Sequence, residues 1–244
     1  DKVSALQQQI NNMRPAGDGA GSLEPGQSLT ATEIYQQNVN SVVAITCVVR
    51  TNVNGTVQEG RNAGSGFVIT KDGYIVTNYH VIENARDVQV TLYSGETYTA
   101  EIIGGEEDYD LAVLKINAAG LQAVTLGDSD ALNVGAEVAA IGNPLGELTF
   151  SLTVGAVSAL DREVTTSAGV TMDLMQTDCA INQGNSGGAL FNMYGEVIGI
   201  TNAKYSSNSS SEASIDNIGF AIPINKARTI AQSIIEKGYV SKPY

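Results

Sequence analysis

The stretch Gly66-Phe67-Val68-Ile69-Thr70-Lys71-Asp72-Gly73-Tyr74-Ile75-Val76-Thr77-Asn78 decides the fold class. Two runs of Val, Ile, Phe, Thr and Tyr, residues that suit a pleated half-buried surface, flank Lys71-Asp72-Gly73, which has the composition of a turn. The stretch therefore reads as a β-hairpin. Downstream, Val88, Val90 and Leu92 alternate with polar residues, Ser94-Gly95 turns, and Tyr98, Ala100 and Ile102 alternate again. Such period-two patterns are half-buried antiparallel strands. Leu111 to Ile116 gives another strand, and Asn117 to Gln122 a connector. A second set of strands begins near Val124 and continues through 134–141, 149–160, 170–176, 189–191, 196–203 and 218–222. Short strands recurring every 8 to 12 residues or so mark barrels and sandwiches rather than βαβ units.

The ends are helical. Thr30 and Glu33 have capping-box spacing, and Ile34, Val39, Val42 and Val43 lead through a short helix into the first strand. After Pro223, Ala227, Ile230, Ala231, Ile234 and Ile235 share one helical face, with Asn225 as N-cap and Gly238 as the stop. At the start of the chain, Val3, Leu6, Ile10 and Met13 form one helical stripe, suited either to docking on the body or to the end of a coiled-coil stem. Residues 14–28 hold four Gly and two Pro and read as a flexible linker. The expectation is an all-β protein of two antiparallel six-stranded β-barrels with a short N-terminal helix and a C-terminal helix. Its parts are a stem and linker at 1–28, barrels at 29–120 and 121–222, and the terminal helix with the beginning of a further linker at 223–244.

Composition narrows the function. With 244 residues of which 43% are hydrophobic, the chain has the material for a large core. Its 26 acidic against 13 basic side chains, net charge -13, argue against a nucleic-acid partner, whose phosphates require clustered Lys and Arg. The longest apolar run, Ser41 to Val49, is too short to span a bilayer. Two cysteines and one histidine make neither a disulfide framework nor a zinc cluster, so no metal and no cofactor is expected. Cys47 and Cys179 both lie in apolar contexts and read as small core residues. The chain begins at Asp1 without a signal-peptide pattern, which suggests that an upstream segment has been removed.

The chemistry is concentrated in Asn182-Gln183-Gly184-Asn185-Ser186-Gly187-Gly188. A serine hydroxyl is a weak nucleophile until a base takes its proton, and the oxyanion formed by its attack needs aimed N–H donors. Glycines allow successive amides to turn toward one point. Such a segment is also an ordinary surface turn, so it needs partners. His80 is the only imidazole available as a general base. Asp110 follows an acidic loop of Glu106, Glu107 and Asp108. It differs from them in abutting the apolar strand, where a partly buried carboxylate can accept the imidazole Nδ1 proton. His80, Asp110 and Ser186 follow the chain order of chymotrypsin-type triads.

With Gly64-Ser65-Gly66-Phe67-Val68-Ile69, Thr77-Asn78-Tyr79-His80-Val81, Asp110-Leu111-Ala112-Val113-Leu114-Lys115, Ile141-Gly142-Asn143-Pro144, Gln176-Thr177-Asp178 and Gly184-Asn185-Ser186-Gly187-Gly188, the chain closely resembles the HtrA/Deg family of trypsin-like serine proteases over roughly residues 30 to 240. The resemblance implies an endopeptidase for unfolded or misfolded proteins, with its site in the cleft between the barrels. Ser186 matches the nucleophile, His80 the base and then acid, and Asp110 the orienting carboxylate. The amides of Gly184 and Ser186 match the oxyanion hole. Ile181, Tyr205 and Ile218 match the pocket for the residue before the scissile bond, and being uncharged they imply small or medium aliphatic side chains there. Thr201, Asn202 and Ala203 would pair with an extended substrate by β-augmentation. Segments 161–170 and 204–217 look like regulators of the oxyanion loop.

The resemblance further implies a homotrimer, an extracytoplasmic envelope location in protein quality control, and a PDZ domain that would begin after Gly238. Gln183, Cys179 and Ala189 depart from the family pattern without touching the triad. Two other readings stay open. One is a chaperone-like protein that holds unfolded chains over a latent site, and the other is a cysteine protease of the same fold, which Ser186 disfavours.

Overall fold

The computed structural model describes residues 28–53, 56–143, 150–165, 171–203 and 218–240. The stripe at residues 3–13, the linker up to residue 27, Tyr205 and most of the two regulatory segments fall outside them.

The chain enters through α1 (Ala31–Asn38), with the capping box its sequence predicts: Thr30 N–H donates to Glu33 Oε2 at 2.8 Å, and Glu33 N–H donates back to Thr30 Oγ1 at 3.3 Å. A single 3₁₀ turn then feeds β1 (Val42–Val53). The first barrel contains β1, β2 (Thr56–Val68), β3 (Tyr74–Thr77), β4 (Ala85–Leu92), β5 (Thr97–Glu106) and β6 (Leu111–Ile116), closed in the order β1-β2-β3-β6-β5-β4. One turn of helix, α2 (Tyr79–Ile82), follows β3.

The short β7 (Thr125–Leu126) leads to β8 (Glu137–Gly142), β9 (Ser151–Thr165), β10 (Thr171–Thr177), β11 (Ala189–Asn192), β12 (Glu196–Asn202) and β13 (Gly219–Pro223). These six pair as β11-β8-β9-β10-β13-β12. The β11–β12 pairing closes the ring, and β7 adds to β12 in parallel. The protein is thus two closed six-stranded antiparallel barrels, as the strand patterning predicts. No helix among the described residues is long and apolar enough to cross a membrane.

The uninterrupted apolar runs have a physical origin. Along β1, Val43 and Ile45 point into the first barrel, whereas Val42 and Ala44 join a cluster shared with the second. β6 and β8 alternate likewise, with Leu111, Val113, Ala139 and Ile141 in the shared layer. Strands buried on both faces lose the polar half of the alternation. The shared layer also takes Ile34 of α1 and Ile230 and Ile234 of the terminal helix α3 (Ile224–Lys237).

Two local expectations are corrected. α3 starts one residue after Pro223, which needs no N–H at that point, and Asn225 lies inside its first turn with Nδ2 donating to Asp128 Oδ1 at 2.7 Å. β2 extends well upstream of the Gly66 hairpin, pairing from Thr56 to Phe67 against β1. Gly238 ends α3 in the left-handed region, φ 79°, as predicted.

Candidate active site

The register of β3 and β6 positions the first two candidate residues. Thr77 pairs with Ala112, so the residues just past the end of β3 lie beside those just before β6. His80 sits in α2 and Asp110 at the end of the turn into β6. Asp110 adopts φ 47°, a left-handed conformation that aspartate tolerates better than most residues, and its carbonyl accepts from Asn78 Nδ2 at 2.9 Å. The carboxylate then grips the histidine twice. Oδ1 accepts the backbone N–H of His80 at 2.9 Å, and Oδ2 lies 2.7 Å from Nδ1. Since an ionised carboxylate can only accept, this contact places the ring proton on Nδ1 and leaves Nε2 bare as a base. Asp110 is 2% exposed, unlike Glu106, Glu107 and Asp108, so the acidic loop has one buried member.

Asp110 Oδ2 takes a second donor, Asn202 Nδ2, at 2.7 Å. The sequence suggested Asn202 for contact with substrate backbone. Its side chain reaches across the barrel interface to the carboxylate, and its main chain pairs with Phe220.

Ser186 lies in the loop between β10 and β11, 4% exposed and packed against the first barrel. Its carbonyl accepts from Ser65 N–H at 2.8 Å and, together with the side chain of Val81, the residue after His80, leaves no room for a Cβ at Gly64. Its Oγ accepts the backbone N–H of Ala203 at 3.1 Å. Gly184 has φ 93° and Gly187 φ 84°, both in the left-handed region. Asn185 N–H is turned back to the Asn182 carbonyl at 3.0 Å and Gly187 N–H to the Thr201 carbonyl at 2.9 Å. The N–H groups of Gly184 and Ser186 donate to no acceptor among the described residues. These are the two amides the sequence proposed for an oxyanion.

Of the remaining candidates, Ile181 is buried and packs on Gly219, and Ile218 beside it is half-buried. Thr201 differs from expectation. Its N–H donates to the Gly188 carbonyl and its carbonyl accepts from Gly187, both at 2.9 Å, so its backbone is occupied by the loop that carries Ser186. Both cysteines are free and buried. Burial pushes the Cys47 thiol up to about 11 and raises that of Cys179, which keeps both protonated and poor as nucleophiles. No three His, Cys, Asp or Glu side chains among the described residues converge on a point where a metal ion could sit.

The chain is similar to known proteins of one kind. Residues 64–200 match the family described as trypsin-like peptidase domain. A probable periplasmic serine endoprotease DegP-like of Halomonas elongata is 45% identical over 188 residues, covering 77% of this chain and 38% of the relative. Protease Do-like 1, chloroplastic, of Arabidopsis thaliana is 41% identical over 222 residues, covering 88% and 49%. The chain thus spans less than half the length of these curated relatives. Among solved structures, an HtrA-type protease AlgW with a decapeptide superposes with a TM-score of 0.72 at 34% identity, covering 86% of this chain and 69% of that one.

Proposed function

The chain belongs to the trypsin-like peptidases as a serine protease domain of HtrA/Deg type, and from that premise we propose that it is an endopeptidase cutting unfolded or misfolded polypeptides. Ser186 is the nucleophile, His80 the base and Asp110 the orienting carboxylate. The observation that carries this reading is the double grip of Asp110 on His80, at 2.7 Å to Nδ1 and 2.9 Å to the backbone N–H. His80 Nε2 takes the proton of Ser186 Oγ as the oxygen attacks the scissile carbonyl. Asp110 stabilises the resulting imidazolium. The carbonyl oxygen, now anionic, is received by the unoccupied N–H groups of Gly184 and Ser186. His80 then passes its proton to the leaving amine, and water repeats the sequence on the acyl-enzyme.

Ile181 and Ile218 make an apolar wall for the residue before the scissile bond, and no acidic side chain stands at positions 180 or 181 to pair with Lys or Arg. Small and medium aliphatic residues are the preferred fit. An extracytoplasmic location in envelope quality control and a trimeric assembly belong to the same proposal. The location is supported by relatives named as periplasmic endoproteases, and the quality-control role and the trimer by the family resemblance.

One observation favours a second reading. Ser186 Oγ accepts the Ala203 N–H, and no hydrogen bond joins it to His80 among the described residues, which suits a latent site in a protein that holds unfolded chains. Incubating casein with the protein and with Ser186→Ala, and mapping the cuts by mass spectrometry, separates the two. Cuts after Val, Ala, Ile or Leu that vanish in Ser186→Ala are expected. Cleavage that survives the substitution removes Ser186 from its role, and casein binding without cleavage favours the holding function.

A further inference from the structure

Ser65 spends every polar atom on the loop that carries Ser186 or on the strands that frame it. Its N–H donates to the Ser186 carbonyl at 2.8 Å, and its Oγ–H donates to the Gly184 carbonyl at 2.7 Å. The same Oγ accepts the Asn143 N–H at 2.7 Å, from the end of β8 in the second barrel. Its carbonyl accepts from Thr77 Oγ1 at 2.7 Å, three residues before His80. The residue is fully buried. Its neighbours are glycines because nothing larger fits. A Cβ at Gly64 would come within 2.6 Å of Val81 Cγ2, and one at Gly66 within 2.9 Å of Ile45, Ile75 and the Val76 carbonyl.

We propose that Ser65 is the positioning residue of the oxyanion site, fixing the direction of the Gly184 and Ser186 N–H groups by holding the carbonyls of the same two residues. This rests on the reading that those amides receive the oxyanion. A glycine at φ 93° has no side chain to resist rotation, so Gly184 needs an external hold on its peptide planes. The Ser65 hydroxyl supplies it by fixing the 184–185 peptide, with its N–H turned back to the Asn182 carbonyl. The Ser65 N–H does the same for the 186–187 peptide. Because Thr77 and Asn143 hold Ser65 itself, the two amides are set relative to both His80 and the second barrel. Ser65 touches neither substrate nor reacting atoms, and acts through Gly184 and Ser186.

The test is Ser65→Ala, compared with the parent on a peptide with an aliphatic residue before the cut, with Ser186→Ala beside both. The expected result is a fall in kcat of about 10- to 100-fold with KM within about twofold, the signature of lost transition-state geometry without lost substrate binding. Ser65→Cys, which keeps a weak donor of similar size, should recover part of that loss. Independently of turnover, amide exchange measured in the Ser186→Ala background should accelerate across residues 182–188 when Ser65→Ala is added, with strands β8 to β12 unchanged. Unaltered kcat and unaltered exchange overturn the proposal, as does a KM increase at constant kcat. Cleavage that persists in Ser186→Ala overturns the reading beneath it instead, so the two failures are distinct.

Discussion

Asn202 and His80 donate to the same oxygen. Asn202 Nδ2 and His80 Nδ1 each lie 2.7 Å from Asp110 Oδ2, so a residue of the second barrel helps to orient the carboxylate that orients the histidine of the first. Replacing Asn202 by Ala should lower kcat about tenfold, equivalent to losing roughly 1.4 kcal/mol of transition-state stabilisation. Asn202→Asp should be worse at neutral pH, because two adjoining carboxylates cannot both stay ionised. Steady-state kinetics of the two variants side by side checks the order.

Asp110→Asn should reduce kcat by about four orders of magnitude. The amide retains the volume but places a donor where the Nδ1 proton must be accepted, so the imidazole presents the wrong nitrogen to Ser186. Melting temperature should change far less than activity, and single-turnover rates beside a thermal scan read both.

Gly187→Ala should abolish activity and lower the melting temperature. The new Cβ would drive into the Ser65 carbonyl and the Thr77 hydroxyl, at a φ of 84° that alone costs an alanine about 1 to 3 kcal/mol. The rate of modification by a serine-directed phosphonate, followed with calorimetry, measures both losses.

Stability should decline between about pH 9 and 11, in part through Cys47. Burial raises its thiol from 9.0 to about 11, so the folded state holds the proton that the unfolded state gives up first. This contribution is complete below the unfolded value and disappears as pH climbs through the folded one. Its size is on the order of 2 kcal/mol. Raised Tyr35, Tyr74 and Tyr79 act in the same direction, so the check is the difference between parent and Cys47→Ala in denaturant midpoints from pH 8 to 11. The variant should show the shallower decline. Native protein at pH 8 should also leave both thiols unmodified by iodoacetamide.

Much of this architecture is written locally. Gly73 at φ 104° makes the hairpin turn that Lys71-Asp72-Gly73 announces, and the two-sided burial of β1, β6 and β8 leaves continuous apolar runs. The upstream half of β2 left no such trace. Glu59, Arg61 and Ala63 are exposed there, and Gly60 and Asn62 only half-buried, so hydrophobicity has nothing to alternate. His80 and Asp110 were identifiable as candidates because one histidine and one carboxylate abutting an apolar strand leave few choices. The Asn202–Asp110 contact spans 92 residues and the Ser65–Gly184 contact 119. Pairings at that range have no local signature, and an asparagine beside a strand end is equally at home facing solvent. Asn225 has the composition of a cap, but Pro223, which has no N–H to satisfy, opens the helix, and the asparagine bonds Asp128 from inside the first turn.

The two barrels divide the proposed reacting groups, with His80 and Asp110 in one and Ser186 in the other, joined through a shared apolar layer. Domains generally form in N- to C-terminal order as a chain emerges from synthesis, an order that puts the first barrel before the second. At that stage it carries a base with no nucleophile. If the proposed triad is the cutting site, cutting ability arises only once the second barrel has closed, and a half-made copy has no means to digest itself or its neighbours. The last assembly step of the fold works as a safety catch.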